Sequence, residues 1–412
     1  MLQKIYYKGL LTTNKLLRTL HLISKENFRT RRNRYRSLLS LNIPEASHLI
    51  ETFTQNVTGN TRAPRILLIT PDCSFTGAPL VLLKVARILK KHGYAPSVIS
   101  MTDGPLKETF VKEGFPFSLL KNINVLPETL LTSLCKPFDA CICNTVLTHA
   151  AARRLQNILP TLLYIHEAKN LYDHIQMDPE IKNSLAAVKN ILTPSEYSAR
   201  FINEFTKSEI NICHNSADDS YKETSRKENT AVKFTIIGAM SLRKGIDVCC
   251  TAFAKLPEGS AELHVIGNIT DSAAPTYEQY KKYPNIFWHS AISDQIQKFE
   301  TFREMDVFLV PSRDDCNPLV AIEAAMLGKP LIISSNVGTA YLIEEGKNGF
   351  ITSTGNIDAL SEKMLWMTKH ADKLDQMGAL SRKLFLQTST NDVYEQNFIN
   401  VINKVFPKNQ KV

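Results

Sequence analysis

The sequence predicts an α/β protein of two doubly wound domains of similar size, with a cleft between them and a basic helical extension at the N-terminus. Two observations carry this. From Arg65 onward short apolar runs alternate with amphipathic stretches, the pattern of parallel strands joined by crossover helices. The alternation is interrupted once, by residues 218–231 (DDSYKETSRKENTA), which have no apolar period and read as an interdomain linker. The 412 residues suit two or three domains at roughly 100–200 residues each. With 43% hydrophobic and 22% charged residues, collagen-like, disordered and coiled-coil classes are excluded.

Residues 65–70 (RILLIT) read as the first strand and PDCSFTGAP as the loop after it. A helix over 79–92 follows, because Leu82, Val85, Ala86 and Leu89 fall at i, i+3, i+4 and i+7 and Gly93 stops it. Further strands are expected at 96–101, 139–144, 161–166, 190–193 and 209–214, then a helix from Pro194-Ser195-Glu196 through Phe205. The second block supplies strands at 232–237, 262–266, 285–289, 306–310 and 330–334. In such sheets ligands bind beyond the carboxyl ends of strands. That rule selects the loops 71–78, 166–173, 238–245, 267–277 and 311–317.

Charge and cysteine usage narrow the setting. Residues 1–60 hold ten Lys and Arg against Glu26, Glu45 and Glu51, a local charge of +7; the remainder holds 39 bases and 37 acids, only +2. The basic character therefore belongs to the N-terminal segment, not to a basic globule. The eight Cys form no C-x-x-C pair and no zinc spacing, which fits buried thiols in a reducing compartment, the cytoplasm by default. No stretch approaches ~18 consecutive apolar residues, and the start MLQKIYYKGLLTTNK lacks the apolar run and cleavage site of a secretory signal.

Four constellations can carry chemistry. The strongest is SRDDCNPLVAIEAAMLGKP over 312–330: Asn317 is placed to cap a helix, Pro318 to open it and Gly328 to stop it. The free N–H groups of such a helix favour an anion such as a phosphate, beside Asp314 and Asp315, with Glu323 eight residues after Asp315. The plainer reading has Asp315 complementing the helix dipole and Glu323 solvated. The second is the loop Gly238 to Gly245 (GAMSLRKG), where Arg243 by forked bonds and Lys244 as a point charge can neutralise a diphosphate, or can simply be solvated. The third is Gly77, within TGA after the first strand, where backbone can approach a ligand. The fourth is His166, before Glu167 at the end of an apolar run, a ligand contact or a structural histidine.

Together, in this order, these motifs resemble the retaining glycosyltransferases of family 4, whose GT-B fold pairs two facing Rossmann-like domains. The resemblance runs from about Arg65 to Asn403. RKGID at 243–247 is similar to the family's Lys-Gly segment, and SRDDCNPLVAIEA at 312–324 to its E-x7-E element. NVGTAYLIEEGKNGF at 336–350 is similar to the Gly-rich stretch that follows, TGAPLVLLKVARILKKHGY at 76–94 to the opening Gly loop and helix, and LTPSEYSARFI at 192–202 to the segment before the hinge. The resemblance implies that Arg243 and Lys244 hold the donor diphosphate and Glu323 the nucleotide ribose. Asp315, with backbone N–H groups of Asn317 to Leu319 and with Pro318 among the donor-binding residues, would bind the donor sugar; His166 would approach the reacting sugar, and Gly77 and Gly238 would line the donor side. It implies no cofactor and no metal, the nucleotide-sugar being a co-substrate whose leaving charge is met by basic side chains and a helix N-terminus. Two carboxylates acting as a hydrolase pair are the competing chemistry, and the strand–helix context argues against it. The chain departs from the pattern at Asp315, where Glu is usual, at Ala239, where many members carry Arg, and at Tyr341, where many carry Glu.

Within residues 1–25, Leu2, Ile5, Tyr6, Leu10, Leu16, Leu17, Leu20 and Ile23 fall in an arc of about 140° on a helical wheel, with Lys4, Lys8, Lys15, Arg18 and Lys25 opposite and Leu11 and Leu22 as exceptions. With the Arg cluster 29–36 this predicts an interfacial helix on an anionic membrane; packing on the first domain is the alternative. Nucleic acid is not expected, since the near-neutral body offers no basic groove.

The expected organisation is a basic extension (1–60), an acceptor domain (61–222), a nucleotide-sugar donor domain (223–390) and a C-terminal helix returning to the first domain (391–412). The expected function is a metal-independent retaining transferase, peripheral on the inner face of the cell membrane. It would move a hexose-type sugar from a nucleotide-sugar to a glycan or lipid-linked acceptor in bacterial cell-surface polysaccharide (lipopolysaccharide) biosynthesis. The alternative is a non-catalytic nucleotide- or glycan-binding module on the same fold.

Overall fold

The computed structural model describes residues 41–57, 63–222 and 230–406, together with Lys8, 10–13, Lys15 and Arg18. By internal contacts the chain forms two compact units. The first comprises Met1–Thr193, Ser198–Ile212 and Ile399–Val412; the second comprises Pro194–Tyr197 and Cys213–Phe398. The C-terminal helix Asn391–Val405 thus begins in the second unit and ends in the first.

The first unit holds a seven-stranded parallel sheet. Its strands are β1 (Arg65–Thr70), β2 (Ala95–Ser100), β3 (Phe117–Leu119), β4 (Ala140–Asn144), β5 (Thr161–Tyr164), β6 (Ile191–Thr193) and β7 (Ile210–Ile212), in the order β3-β2-β1-β4-β5-β6-β7. Leu67, Leu68 and Ile69 of β1 are fully buried, as a central strand covered on both faces requires. The helix after β1, Gly77–Lys91, buries Leu82, Val85, Ala86 and Leu89, the predicted face; Gly93, at φ +80°, takes the left-handed position that ends it. The core of this unit extends upstream of residue 61. Helix Ile43–Val57 buries Ala46, Ile50, Phe53 and Val57, and Phe53 stacks on Phe138 at 6.1 Å. Strand β3, three residues in a stretch without period, was not among the predicted strands.

The second unit holds a six-stranded parallel sheet: β8 (Val232–Ile237), β9 (Ala261–Ile266), β10 (Ile286–His289), β11 (Val307–Val310), β12 (Leu331–Ser334) and β13 (Gly349–Thr352), in the order β10-β9-β8-β11-β12-β13. Strand β13 is an addition to the predicted set. In both sheets the order reverses beside the first strand, between β1 and β4 and between β8 and β11. At these switch points the loops after neighbouring strands diverge and leave a crevice for ligand. The loops after β1 and β4, and those after β8 and β11, are therefore the places to look. Among the described residues no helix is long and apolar enough to cross a membrane. The amphipathic wheel and Arg cluster predicted over 1–36 lie largely outside the described residues; of that wheel, Lys8 and Lys15 are helical and exposed.

Candidate functional site

At the switch point of the second sheet, the loop after β8 carries Arg243 and Lys244 in a 3-10 turn, Leu242–Lys244, which Ser241 caps by accepting from the Lys244 amide at 3.4 Å. Gly245 follows at φ +75°, and a Cβ there would stand 2.1 Å from the Pro311 carbonyl oxygen, so only glycine lets this turn lie against the end of β11. The loop after β11 answers it. The Lys244 Nζ donates to Asp315 Oδ2 at 2.5 Å, with the two side chains 20% and 10% exposed. Arg243 donates to the Asp314 carbonyl at 2.8 Å, and the Arg313 amide donates to the Arg243 carbonyl at 2.7 Å. Arg313 reaches back with a forked pair to Asp247 at 2.7 and 2.6 Å. Burial pushes the Asp247 carboxyl up, but the Arg313 bonds outweigh it and hold it below its ordinary value. Two loops that resemblance placed together are one bonded unit.

The segment 314–318 is held from every side. Tyr197 donates to Asp314 at 3.0 Å, Ser195 to the Cys316 carbonyl at 2.5 Å, and Asn215 to the Asn317 carbonyl at 3.2 Å. The Gly338 amide donates to the Asp315 carbonyl at 2.9 Å, and a Cβ on Gly338 would stand 1.7 Å from the Cys316 carbonyl oxygen. The predicted cap is corrected here. Helix Leu319–Met326 begins one residue later than expected, with Pro318 at its cap position in extended backbone. The buried Asn317 side chain instead donates to the Pro194 carbonyl at 3.0 Å and the Gly338 carbonyl at 3.2 Å. Pro318 has no N–H to offer a ligand. The Leu319 and Val320 amides, without an acceptor among the described residues, are the donors at the start of this helix that a ligand could use.

Glu323 lies one turn into the same helix. Its Oε1 accepts from Lys298 Nζ at 2.5 Å, the Glu323 side chain being 13% exposed. Burial raises its carboxyl above the usual range, against the pull of Lys298. Gly238, at φ +131°, ends β8 with open space where a Cβ would be, while a Cβ on Gly267 would stand 1.8 Å from the Gly238 carbonyl oxygen. Tyr341 stacks on His214 at 3.7 Å and lies within 3.5 Å of the Asn317 amide group, and burial pushes its hydroxyl up to about 12. At this position it is a packing element.

The first unit has its own polar group at its switch point. Gly77 opens the helix after β1 with no atom near its missing Cβ. His166, half-buried after β5, meets the fully buried Asn144 at the end of β4, Nε2 to Oδ1 at 2.8 Å. Burial brings the imidazole down to about 3, so it is neutral at ordinary pH. The Val146 and His166 amides both donate to Glu167 Oε2, at 3.1 and 3.0 Å; burial pushes that carboxyl up to about 7, these amides opposing. Thr145, between them, stands at φ +66°, a strained conformation for a β-branched residue. Asn144 and Thr145 carried no signal in the sequence, where they close an apolar run. Among the described residues no group of three or more His, Cys, Asp or Glu is arranged to hold a metal ion.

Residues 218–384, most of the second unit, match the family model of glycosyl transferases group 1. A structure of Anabaena Alr3699/HepE in complex with UDP superposes with a TM-score of 0.70 at 17% identity, over 82% of this chain and 100% of that one. The lipopolysaccharide outer core galactosyltransferase WaaB superposes with a TM-score of 0.69 at 15% identity, over 82% and 99%. The fold is GT-B. A curated relative, the sulfoquinovosyl transferase SQD2 of Arabidopsis thaliana, is 24% identical over 154 residues, 36% of this chain. The chain spans 28% of that relative's length. Every group in the switch-point cluster of the second unit from Gly238 to Glu323 lies inside the matched segment, whereas His166 and Gly77 lie outside it.

Proposed function

We propose that this GT-B chain is a retaining glycosyltransferase that moves a hexose-type sugar from a nucleotide-sugar, with UDP as the leaving nucleotide, to a glycan or lipid-linked acceptor. The observation that carries the reading is the Lys244–Asp315 pair at the N-terminus of helix Leu319–Met326, with Glu323 one turn further on, at the switch point of the second sheet. One ammonium, free helix amides and two carboxylates in that order match the parts of a nucleotide-sugar. Lys244 and Arg243 bind the diphosphate; its arrival draws Lys244 from Asp315, whose carboxylate then accepts from sugar hydroxyls. Glu323 accepts from the ribose. Positive charge and amide dipoles offset the charge that develops as the nucleotide leaves, which is why the reaction proceeds without a metal. Within the first unit, His166, neutral and held by Asn144, is the side chain we propose to act on the sugar.

Support for a UDP donor and for cell-surface polysaccharide assembly comes from the superposed proteins, one bound to UDP and one a lipopolysaccharide galactosyltransferase. The basic segment 1–36 supports a place at an anionic membrane surface, on its cytoplasmic face. The deciding experiment measures UDP release from a panel of UDP-hexoses, with a lipid-linked glycan extract supplied as acceptor, by the wild type and by Lys244→Ala in EDTA. Turnover that the variant loses supports the transferase. Nucleotide binding without turnover for any sugar would point to a non-catalytic module.

A further inference from the structure

We infer that Lys298 is a positioning residue that gives the nucleotide site its selectivity for ribose over deoxyribose. The inference rests on the reading of Glu323 as the ribose acceptor. Lys298 lies in helix Gln295–Arg303, on the chain that follows β10, and nothing in its spacing distinguished it. Its ammonium is bound to Glu323 Oε1 at 2.5 Å, and its side chain is only 19% exposed. The same nitrogen stands 5.2 Å from the ring centroid of Phe299 and 5.5 Å from that of Phe302. Phe302 is buried, and both rings pack into the core that also holds Val320 and Ile322 of the Glu323 helix. The ammonium is thus fixed on the face of Glu323 that the protein covers.

This arrangement has a chemical consequence. A carboxylate so far removed from water favours its protonated form unless a cation faces it. Lys298 faces it and opposes that tendency, with Oε1 committed to the ammonium and Oε2 without a partner among the described residues. One oxygen is held and the other is left as a fixed, charged acceptor for hydroxyl donors. A vicinal diol such as that of ribose meets this acceptor, and a deoxyribose leaves it desolvated and unpaired. Hydrogen bonds to charged groups are the stronger kind, so discrimination of about tenfold or more is expected. A protonated or rotated Glu323 has no such preference.

Calorimetric titration of the full chain with UDP and with 2′,3′-dideoxyuridine diphosphate tests this in wild type, K298M, K298Q, K298R and E323Q. The expected result is a wild-type preference for UDP of about tenfold or more. That preference collapses toward unity in K298M and K298Q while dideoxy affinity is unchanged, and K298R, which keeps the cation, restores it. The dideoxy arm separates loss of selectivity from loss of fold, and K298Q keeps a polar, uncharged group beside Glu323 if K298M does not fold. A wild-type preference retained in K298M or K298Q but lost in E323Q overturns the role of Lys298 and leaves Glu323 as the ribose acceptor. A preference retained in E323Q, or no binding of either nucleotide by the wild type, overturns the Glu323 reading and the inference with it.

Discussion

Lys244 and Asp315 are 71 residues apart in sequence and meet at 2.5 Å in a site where neither is solvated freely. Lys244→Ala removes the cation proposed to meet the diphosphate and strands a largely buried carboxylate. Calorimetry with UDP is expected to show at least about a tenfold loss of affinity, and denaturant unfolding a loss of about 1–3 kcal/mol. At the other switch point, His166 and Glu167 titrate against each other. The imidazole falls from 6.5 to about 3, so its contribution to stability is present above pH 6.5 and lost as pH falls toward 3. The carboxyl rises from 4.5 to about 7, so its contribution is present below pH 4.5 and lost as pH rises through 7. Between pH 4.5 and 6.5 the two slopes oppose. Glu167→Gln keeps an oxygen for the Val146 and His166 amides and removes one slope. Its unfolding free energy is expected to rise with pH across that window where the wild type is flat; parallel profiles would contradict the burial of either group. Arg243, Lys244 and Asp315 were legible because charged groups after strand ends stand out from apolar runs, and Glu323 because the resemblance to an E-x7-E element picks it out of its helix. Asn144 and Lys298 were not, because one closes a strand and the other sits on a largely polar helix with no apolar stripe, and only tertiary contact shows what each one faces.

At the scale of elements, the long strands and the helix after β1 follow from periodicity, and the glycines at turns from backbone geometry. Strands β3 and β13 were missed for a physical reason. Three residues of β3 show no alternation, and β13 follows the charged run EEGKNG and opens on a glycine that lies 2.3 Å, through a Cβ, from the Leu331 carbonyl oxygen. The helix opening at 318 shows the limit of cap rules. Asn317 is a good cap residue, but two carbonyls, of Pro194 and Gly338, compete for its side chain and win. The element to test is the loop they hold. Gly338→Ala places a methyl against the Cys316 carbonyl oxygen and Ser195 Oγ, at 1.7 and 2.4 Å, and neither backbone nor capped serine can yield cheaply. UDP affinity is expected to fall together with thermal stability, whereas Gly77→Ala, with open space at its Cβ and φ in the ordinary region, is expected to leave stability within about 1 kcal/mol.

At the scale of the molecule, two doubly wound sheets were legible from alternation and a polar break, whereas the strand order that sets each switch point was not. The upstream reach of the first core was not legible, because Ile43–Val57 reads as part of a basic extension until Ile50 and Phe53 are seen packed. This separates two roles within 1–60: residues 43–57 are core, and 1–36 carry the charge. Deleting 1–36 is expected to abolish sedimentation with vesicles containing anionic lipid while leaving the melting temperature unchanged. Binding retained by the shortened chain would assign the membrane surface elsewhere. The second unit is proposed to bind a nucleoside diphosphate through Lys244 and the loop it holds. The most direct measurement is the melting temperature with UDP in EDTA, for wild type and Lys244→Ala. At 100 times its Kd a specific ligand adds about 2.7 kcal/mol of stability, which gives a clear upward shift in the wild type and none in the variant. An equal shift in both, or no shift with UDP or any other nucleoside diphosphate, would contradict it.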